Sequence, residues 1–226
     1  MPTVLITGSN RGLGLEFTRQ YLADGWRVLA TCRNADDAPE LSSLDGDLNV
    51  LSMAVDDDAG ILATAAKLDG EAIDVLISNA GVMGERQSLG GLQSQDWEHV
   101  LRVNIISPLM VCQAFVEHVA RSDQKKMATV SSKMGSVADN NSGGSYIYRS
   151  SKAGVNAAMR SLAIDLAPRG IHAAILHPGW VRTDMGGPNG LIDAPESVRG
   201  MRDVIASLDA ESSGMFRNYD GTEIPW

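Results

Sequence analysis

The sequence predicts an α/β fold: one domain over residues 1–226, built on a doubly wound parallel sheet of about seven strands with helices on both faces. Three observations predict it. Short apolar runs alternate with longer helical patterns along the whole chain, and right-handed crossovers between parallel strands place helices on both sides of a sheet. The first apolar run ends in a glycine-rich turn that opens a helix, the usual start of such a sheet. No repeat, low-complexity tract or linker divides the 226 residues, a length that buries a full core without disulfide staples.

Each element follows in order. Thr3–Thr7 is a buried strand; the turn after it leads to a helix over Gly12–Asp24, which presents Phe17 and Tyr21 on one face and stops at Gly25. Arg27–Thr31 is the second strand, 34–47 an acidic loop, and Leu48–Val55 the third strand. Asp56–Leu68 is Ala-rich and helical, and Asp74–Ser78 is the fourth strand, ending in Asn79-Ala80-Gly81. A long helix fills Ser94–Arg121 with Ser94 as its N-cap. Met127–Ser131 is the fifth strand and 135–145 a polar, Gly-rich loop. The helix Tyr146–Ala167 is stopped by Pro168-Arg169-Gly170. Ile171–Leu176 is the sixth strand, a helix starts near Pro195, and the tail adds one strand with a turn at Asp220-Gly221.

Composition narrows the function. A net charge of −9 repels a phosphate backbone, and no basic stripe offsets it, so no nucleic-acid partner is expected. Cys32 and Cys112 stand apart without a CxxC motif, which indicates neither a disulfide framework nor a zinc site. His99, His118, His172 and His177 show no ligand spacing and are expected at the surface or in loose packing. The apolar stretch Val100–Ala120 carries Arg102, Asn104, Glu117 and His118, so no membrane span is expected. With no signal-peptide pattern at the start, the expected location is the reduced cytoplasm.

In a doubly wound sheet, ligands sit at the carboxyl ends of the strands. The first strand ends in the loop Gly8-Ser9-Asn10-Arg11-Gly12-Leu13-Gly14, whose small residues let the backbone approach a pyrophosphate at a helix N-terminus. Such a loop is also compatible with a plain strand–helix turn. An NAD site usually carries an acid at the end of the second strand, bonded to the ribose hydroxyls. Here that place falls on Cys32, followed by Arg33, with Arg11 in the glycine loop. Two guanidinium groups and no acid favour a 2′-phosphate, hence NADP(H). Asp56 is positioned either to bond the adenine amino group or to cap the next helix.

Tyr148 and Lys152 form Y-x-x-x-K on a predicted helix, where an i,i+4 pair shares one face. Ser132 closes the fifth strand at the same sheet edge. A carbonyl accepting hydride develops an alkoxide that needs a proton donor. Tyrosine's ordinary pKa near 10 must fall for this task, and a neighbouring ammonium favours tyrosinate. Tyr148 is then general acid in reduction and general base in oxidation, while the Ser132 hydroxyl holds the carbonyl oxygen.

The segments TGSNRGLG, SNAGV, VNIISP, VSSKMG, YRSSK and HPGWVRTDMGG, in this order, resemble the short-chain dehydrogenase/reductase family over nearly the full chain. HPGWVRTDMGGP and the ending YDGTEIPW are similar to its carbonyl-reductase-like group, which includes Sniffer-like and C-factor-like members. The resemblance implies a Rossmann-like, NADP-dependent oxidoreductase. Asn79, Ala80 and Gly81 would line the adenosine side. Asn104 would complete a tetrad with Ser132, Tyr148 and Lys152 by holding a water that relays protons from solvent to Lys152. Lys152 would also bond the nicotinamide ribose, and Pro178, Gly179, Val181 and Thr183 would hold the nicotinamide amide.

Ser78 departs from the family's usual Asn, the spacing from Ser132 to Tyr148 is longer than usual, and the short segment after Thr183 implies a small substrate lid. The expected activity is reversible reduction of an aldehyde, ketone or quinone to an alcohol. The alternatives are a signalling protein that binds NADP without turnover and a sugar-nucleotide epimerase, for which the C-terminal part leaves little room. The resemblance also implies a small-molecule carbonyl or alcohol partner and a homodimer or homotetramer.

Overall fold

A computed structural model describes residues 1–85 and 88–226. Seven strands form one parallel sheet in the order β3-β2-β1-β4-β5-β6-β7. They are β1 Thr3–Thr7, β2 Arg27–Cys32, β3 Leu48–Ser52, β4 Val75–Ser78, β5 Lys126–Val130, β6 His172–His177 and β7 Phe216–Asn218. The order reverses direction between β1 and β4, which opens a crevice at their carboxyl ends.

Side chains alternate across a strand, so a sheet covered on both faces needs apolar residues at consecutive positions. That is why Thr3-Val4-Leu5-Ile6-Thr7 is buried throughout. Val4, Ile6, Val28, Ala30 and Ile77 face the core beneath α1 (Gly12–Ala23) and α7 (Ala194–Ala206), against Phe17, Tyr21, Val198 and Met201. Leu5, Leu29, Leu76 and Met127 face the opposite core with α3 (Asp58–Lys67), α5 (Ser107–Ala120) and α6 (Tyr146–Leu166), against Ile61, Phe115, Val155 and Met159.

Several expectations are corrected. The acidic loop contains a 3-10 turn, Ala35–Asp37, and a short helix α2, Pro39–Ser42, which Leu41 anchors in the core. Asp57, one residue after Asp56, caps α3 by accepting from the Ala59 amide at 3.1 Å. The long helix begins at Ser94, so Gln93 holds the cap position, without a capping side-chain bond. It is also broken: α4 (Ser94–Leu101) and α5 are joined by a π-helical turn, Arg102–Ile106. By length and composition the run Ser94–Ala120 could cross a membrane. Its Val111, Cys112, Phe115 and Val119 instead pack into the sheet core.

The histidines are not all loosely placed. His118 is buried beside Phe115, with Nε2 3.2 Å from the Ala65 carbonyl, and burial holds His177 down at a pKa of about 4. Both cysteines are free and buried.

Candidate active site

The glycine loop sits where β1 meets β4. Gly8 takes φ +68°, and a Cβ there would lie 3.0 Å from the Ala80 Cα. A Cβ on Gly14 would lie 2.2 Å from the Gly8 carbonyl oxygen, so α1 reaches the loop only with a glycine. Asn79 ties the two strands together: its Nδ2 donates to the Thr7 and Gly8 carbonyls at 2.9 and 3.2 Å. Thr7 Oγ1 accepts from the Asn79 and Ala80 amides, both at 3.1 Å. Ser9 is wholly buried and serves the loop itself, with Oγ donating to the Ile6 carbonyl. Arg11 occupies the α1 cap position without a capping side-chain bond, and no acid lies in the first turn. The helix therefore presents its N–H groups and its positive end to the crevice.

The crevice is a continuous cleft with a cavity volume of about 290 Å³. Of the residues expected at a cofactor, Gly8, Asn10, Arg11, Gly12, Leu13, Arg33, Asp56, Asn79, Ala80, Gly81, Tyr148, Lys152, Pro178 and Thr183 line it. Ser9, Gly14, Gly179 and Val181 do not: the first two shape the loop, and Val181 bridges to Ile192. Met53, Val55, His99, Val103, Asp184 and Met185 also line the cleft without having been expected there.

At the end of β2, burial raises the Cys32 thiol pKa, and Sγ donates to the Asn34 carbonyl at 3.3 Å. Arg33 beside it has no ion-pair partner among the described residues. Arg11 does have one: its Nη1 lies 3.3 Å from Asp184 Oδ2. The Asp56 backbone carbonyl accepts from the Arg102 guanidinium. A helix start without an acid, a thiol in place of a carboxylate and a free guanidinium fit an anionic dinucleotide.

At the other end of the cleft, Tyr148 and Lys152 lie one turn apart on α6, with Lys152 Nζ 5.7 Å from the Tyr148 ring centre. Ser132 caps a 3-10 turn, Lys133–Gly135, by accepting from the Met134 amide at 3.2 Å. That turn lies flat on α6, since a Cβ on Gly135 would fall 2.7 Å from the Lys152 carbonyl carbon. The close approach brings the Ser132 hydroxyl to the Tyr148 side, where it favours the tyrosinate.

Burial raises the Tyr148 pKa and the Ser132 hydroxyl only partly offsets it. Burial acts in the other sense on Lys152, bringing its pKa to about 8; its Nζ donates to the Val130 carbonyl at 3.0 Å.

Asn104 sits in the π-helical turn and is 1% exposed. Its Oδ1 accepts from the Val82 amide at 2.9 Å; its Nδ2 donates to the Val82 carbonyl at 2.7 Å and to Ser151 Oγ at 2.9 Å. Ser151 in turn donates to the Tyr148 carbonyl at 2.8 Å. Both amide protons are thus committed, so any water would have to donate to the remaining lone pair of Oδ1. A Cβ on Gly81 would lie 3.3 Å from that oxygen and 3.6 Å from Lys152 Nζ, so Gly81 keeps open the space between them.

The family model described as short chain dehydrogenase matches residues 2–190. The C-signal protein of Myxococcus xanthus is 47% identical over 154 residues, which cover 68% of this chain and 93% of that protein. The carbonyl reductase Sniffer of D. melanogaster superposes with a TM-score of 0.93 at 32% identity, covering all of both chains. The NADPH-bound carbonyl reductase from chicken fatty liver gives 0.92 at 33% identity, covering 100% of this chain and 94% of that one.

Proposed function

This chain belongs to the short-chain dehydrogenase family, and from that premise we propose that it is an NADPH-dependent carbonyl reductase, reversible as an alcohol dehydrogenase. The observation that carries the reading is the meeting of Tyr148 and Lys152 at one end of a cleft, with Ser132 beside Tyr148, while the other end carries Cys32 and an Arg33 with no ion-pair partner among the described residues. Gly8–Gly14 and the start of α1 would hold the pyrophosphate, Arg33 and Arg11 the 2′-phosphate, and Pro178 and Thr183 the nicotinamide amide. NADPH supplies the hydride when bound.

The protein supplies position and the proton. Ser132 donates its hydroxyl hydrogen to the carbonyl oxygen as that oxygen gains charge. Tyr148 gives the same oxygen its phenolic proton, becoming tyrosinate. The Lys152 ammonium stabilises that tyrosinate, and the Asn104 side holds the route by which the proton is replaced. In oxidation the same groups act in reverse. The substrate is an aldehyde, ketone or quinone, and we place the enzyme in the cytoplasm as a homodimer or homotetramer.

A second reading, a signalling protein that binds NADP without turnover, is favoured by the likeness to C-signal. NADPH consumption across a broad carbonyl panel, with Tyr148→Phe beside the wild type, separates the two. Turnover should fall by about 10²- to 10⁴-fold in the variant with NADPH affinity unchanged. Bound NADPH with no wild-type turnover would favour the signalling reading.

A further inference from the structure

Arg11 and Arg33 stand in different states. Arg33 lines the cleft without an ion-pair partner among the described residues. Arg11, on the glycine-loop lip, reaches across to Asp184 on the opposite lip. The lips face each other closely there, since a Cβ on Gly12 would lie 4.0 Å from Thr183 Cγ2.

The backbone carrying Asp184 is fixed. The Gly187 amide donates to the Thr183 carbonyl at 2.8 Å, the Gly186 amide donates to Thr183 Oγ1 at 3.1 Å, and Arg182 Nη1 donates to the Gly190 carbonyl at 2.9 Å. The ion pair itself is open to water, with side chains 67% and 83% exposed. An exposed pair of this kind contributes little and is easily exchanged. A phosphate is a stronger partner for a guanidinium, because it accepts two parallel charge-assisted bonds.

We propose that Asp184 is a cofactor-specificity residue: it competes with the 2′-phosphate for Arg11 and so weakens NADP(H) binding selectively. This rests on the reading of the cleft as an NADPH site. With the site free, Arg11 is held on Asp184. The 2′-phosphate draws it off, and Asp184 takes it back as the dinucleotide leaves. NADH lacks the 2′-phosphate and leaves the pair intact. Removing the carboxylate therefore tightens NADPH alone.

Calorimetric titration of NADPH and NADH into wild type, Asp184→Asn, Arg11→Ala and the double variant tests this without reference to turnover. Asp184→Asn should lower the Kd for NADPH about two- to five-fold and leave that for NADH unchanged. In the Arg11→Ala background the same substitution should do nothing to the ratio of the two Kd values. An unchanged or raised NADPH Kd in Asp184→Asn overturns the proposal. So does an equal tightening of both cofactors, or a tightening that survives without Arg11. A wild type that binds NADH as tightly as NADPH removes the NADPH reading and this proposal with it, whereas a wild-type preference that Asp184→Asn leaves unmoved removes this proposal alone.

Discussion

The two ends of the cleft are built on opposite terms. At the glycine-loop end Arg11, Arg33 and Asp184 are exposed: Arg11 pairs with Asp184, and Arg33 has no ion-pair partner among the described residues. At the Tyr148 end the polar side chains are enclosed: Asn104, Ser151 and Lys152 are 1%, 0% and 5% exposed and bonded to backbone or to one another. Exposed groups exchange one partner for another at little cost, which suits binding and release. Enclosed groups are oriented before the substrate arrives and carry a desolvation cost in the folded protein, which suits chemistry. Substitutions at the first end should therefore move affinity and leave stability alone, while those at the second should move both.

Lys152→Met should give the largest effect and the sharpest form of the contrast. Turnover should fall by about 10²-fold or more, measured by NADPH consumption. The free protein should become more stable at pH 7, by up to about 3 kcal/mol, because an ammonium whose pKa burial holds at about 8 no longer has to be desolvated. The sign is fixed by linkage. Between about 8 and lysine's ordinary 10.5 the unfolded chain binds the lysine proton and the folded one does not, so this group's contribution to stability rises with pH across that window. Thermal unfolding of wild type from pH 7 to 10.5 should show the rise, and the variant should lack it. A variant less stable than wild type at pH 7 would break the contrast.

Arg33→Ala should come next. Loss of a charged contact costs about 1.5–3 kcal/mol, or about 10- to 150-fold in the NADPH Kd. NADH affinity and the unfolding temperature should stay where they are. Equal losses for both cofactors would remove the 2′-phosphate role. The smallest effect falls on two neighbours that divide the same labour. Asp57→Ala should lose about 1 kcal/mol of stability in denaturant unfolding with cofactor affinity intact, since it caps α3. Asp56→Ala should leave stability unchanged and weaken NADPH and NADH alike.

Much of this was legible in the sequence because it depends on local rules. Strands buried on both faces read as apolar runs, Gly8 and Gly14 stand where no side chain fits, and Tyr148 with Lys152 share a helix face by spacing alone. What stayed hidden depends on chain brought from elsewhere. Asp56 and Asp57 are equivalent as caps until the backbone chooses one. The acidic loop folds into α2 because the core accepts Leu41, and nothing nearby in sequence announces that. Asp184 meets Arg11 across 173 residues. Asn104 looks like any polar residue on an apolar helix, and only the family resemblance singled it out. Its bonds reach Val82, in the stretch after β4, and Ser151, on α6.

The π-helical turn gives chain length a meaning of its own. An α-helix rotates about 100° per residue, so one surplus residue swings everything beyond it to a new bearing. Here α4 leans on α6, while the run beyond Arg102–Ile106 lies on α3 and the sheet. Deleting one residue inside that turn would restore an unbroken, more regular helix and turn Asn104 away from Val82 and Ser151. The shortened chain would keep the residue types of the tetrad and lose their alignment. In this helix, the place of Asn104 is set by a count as much as by a composition.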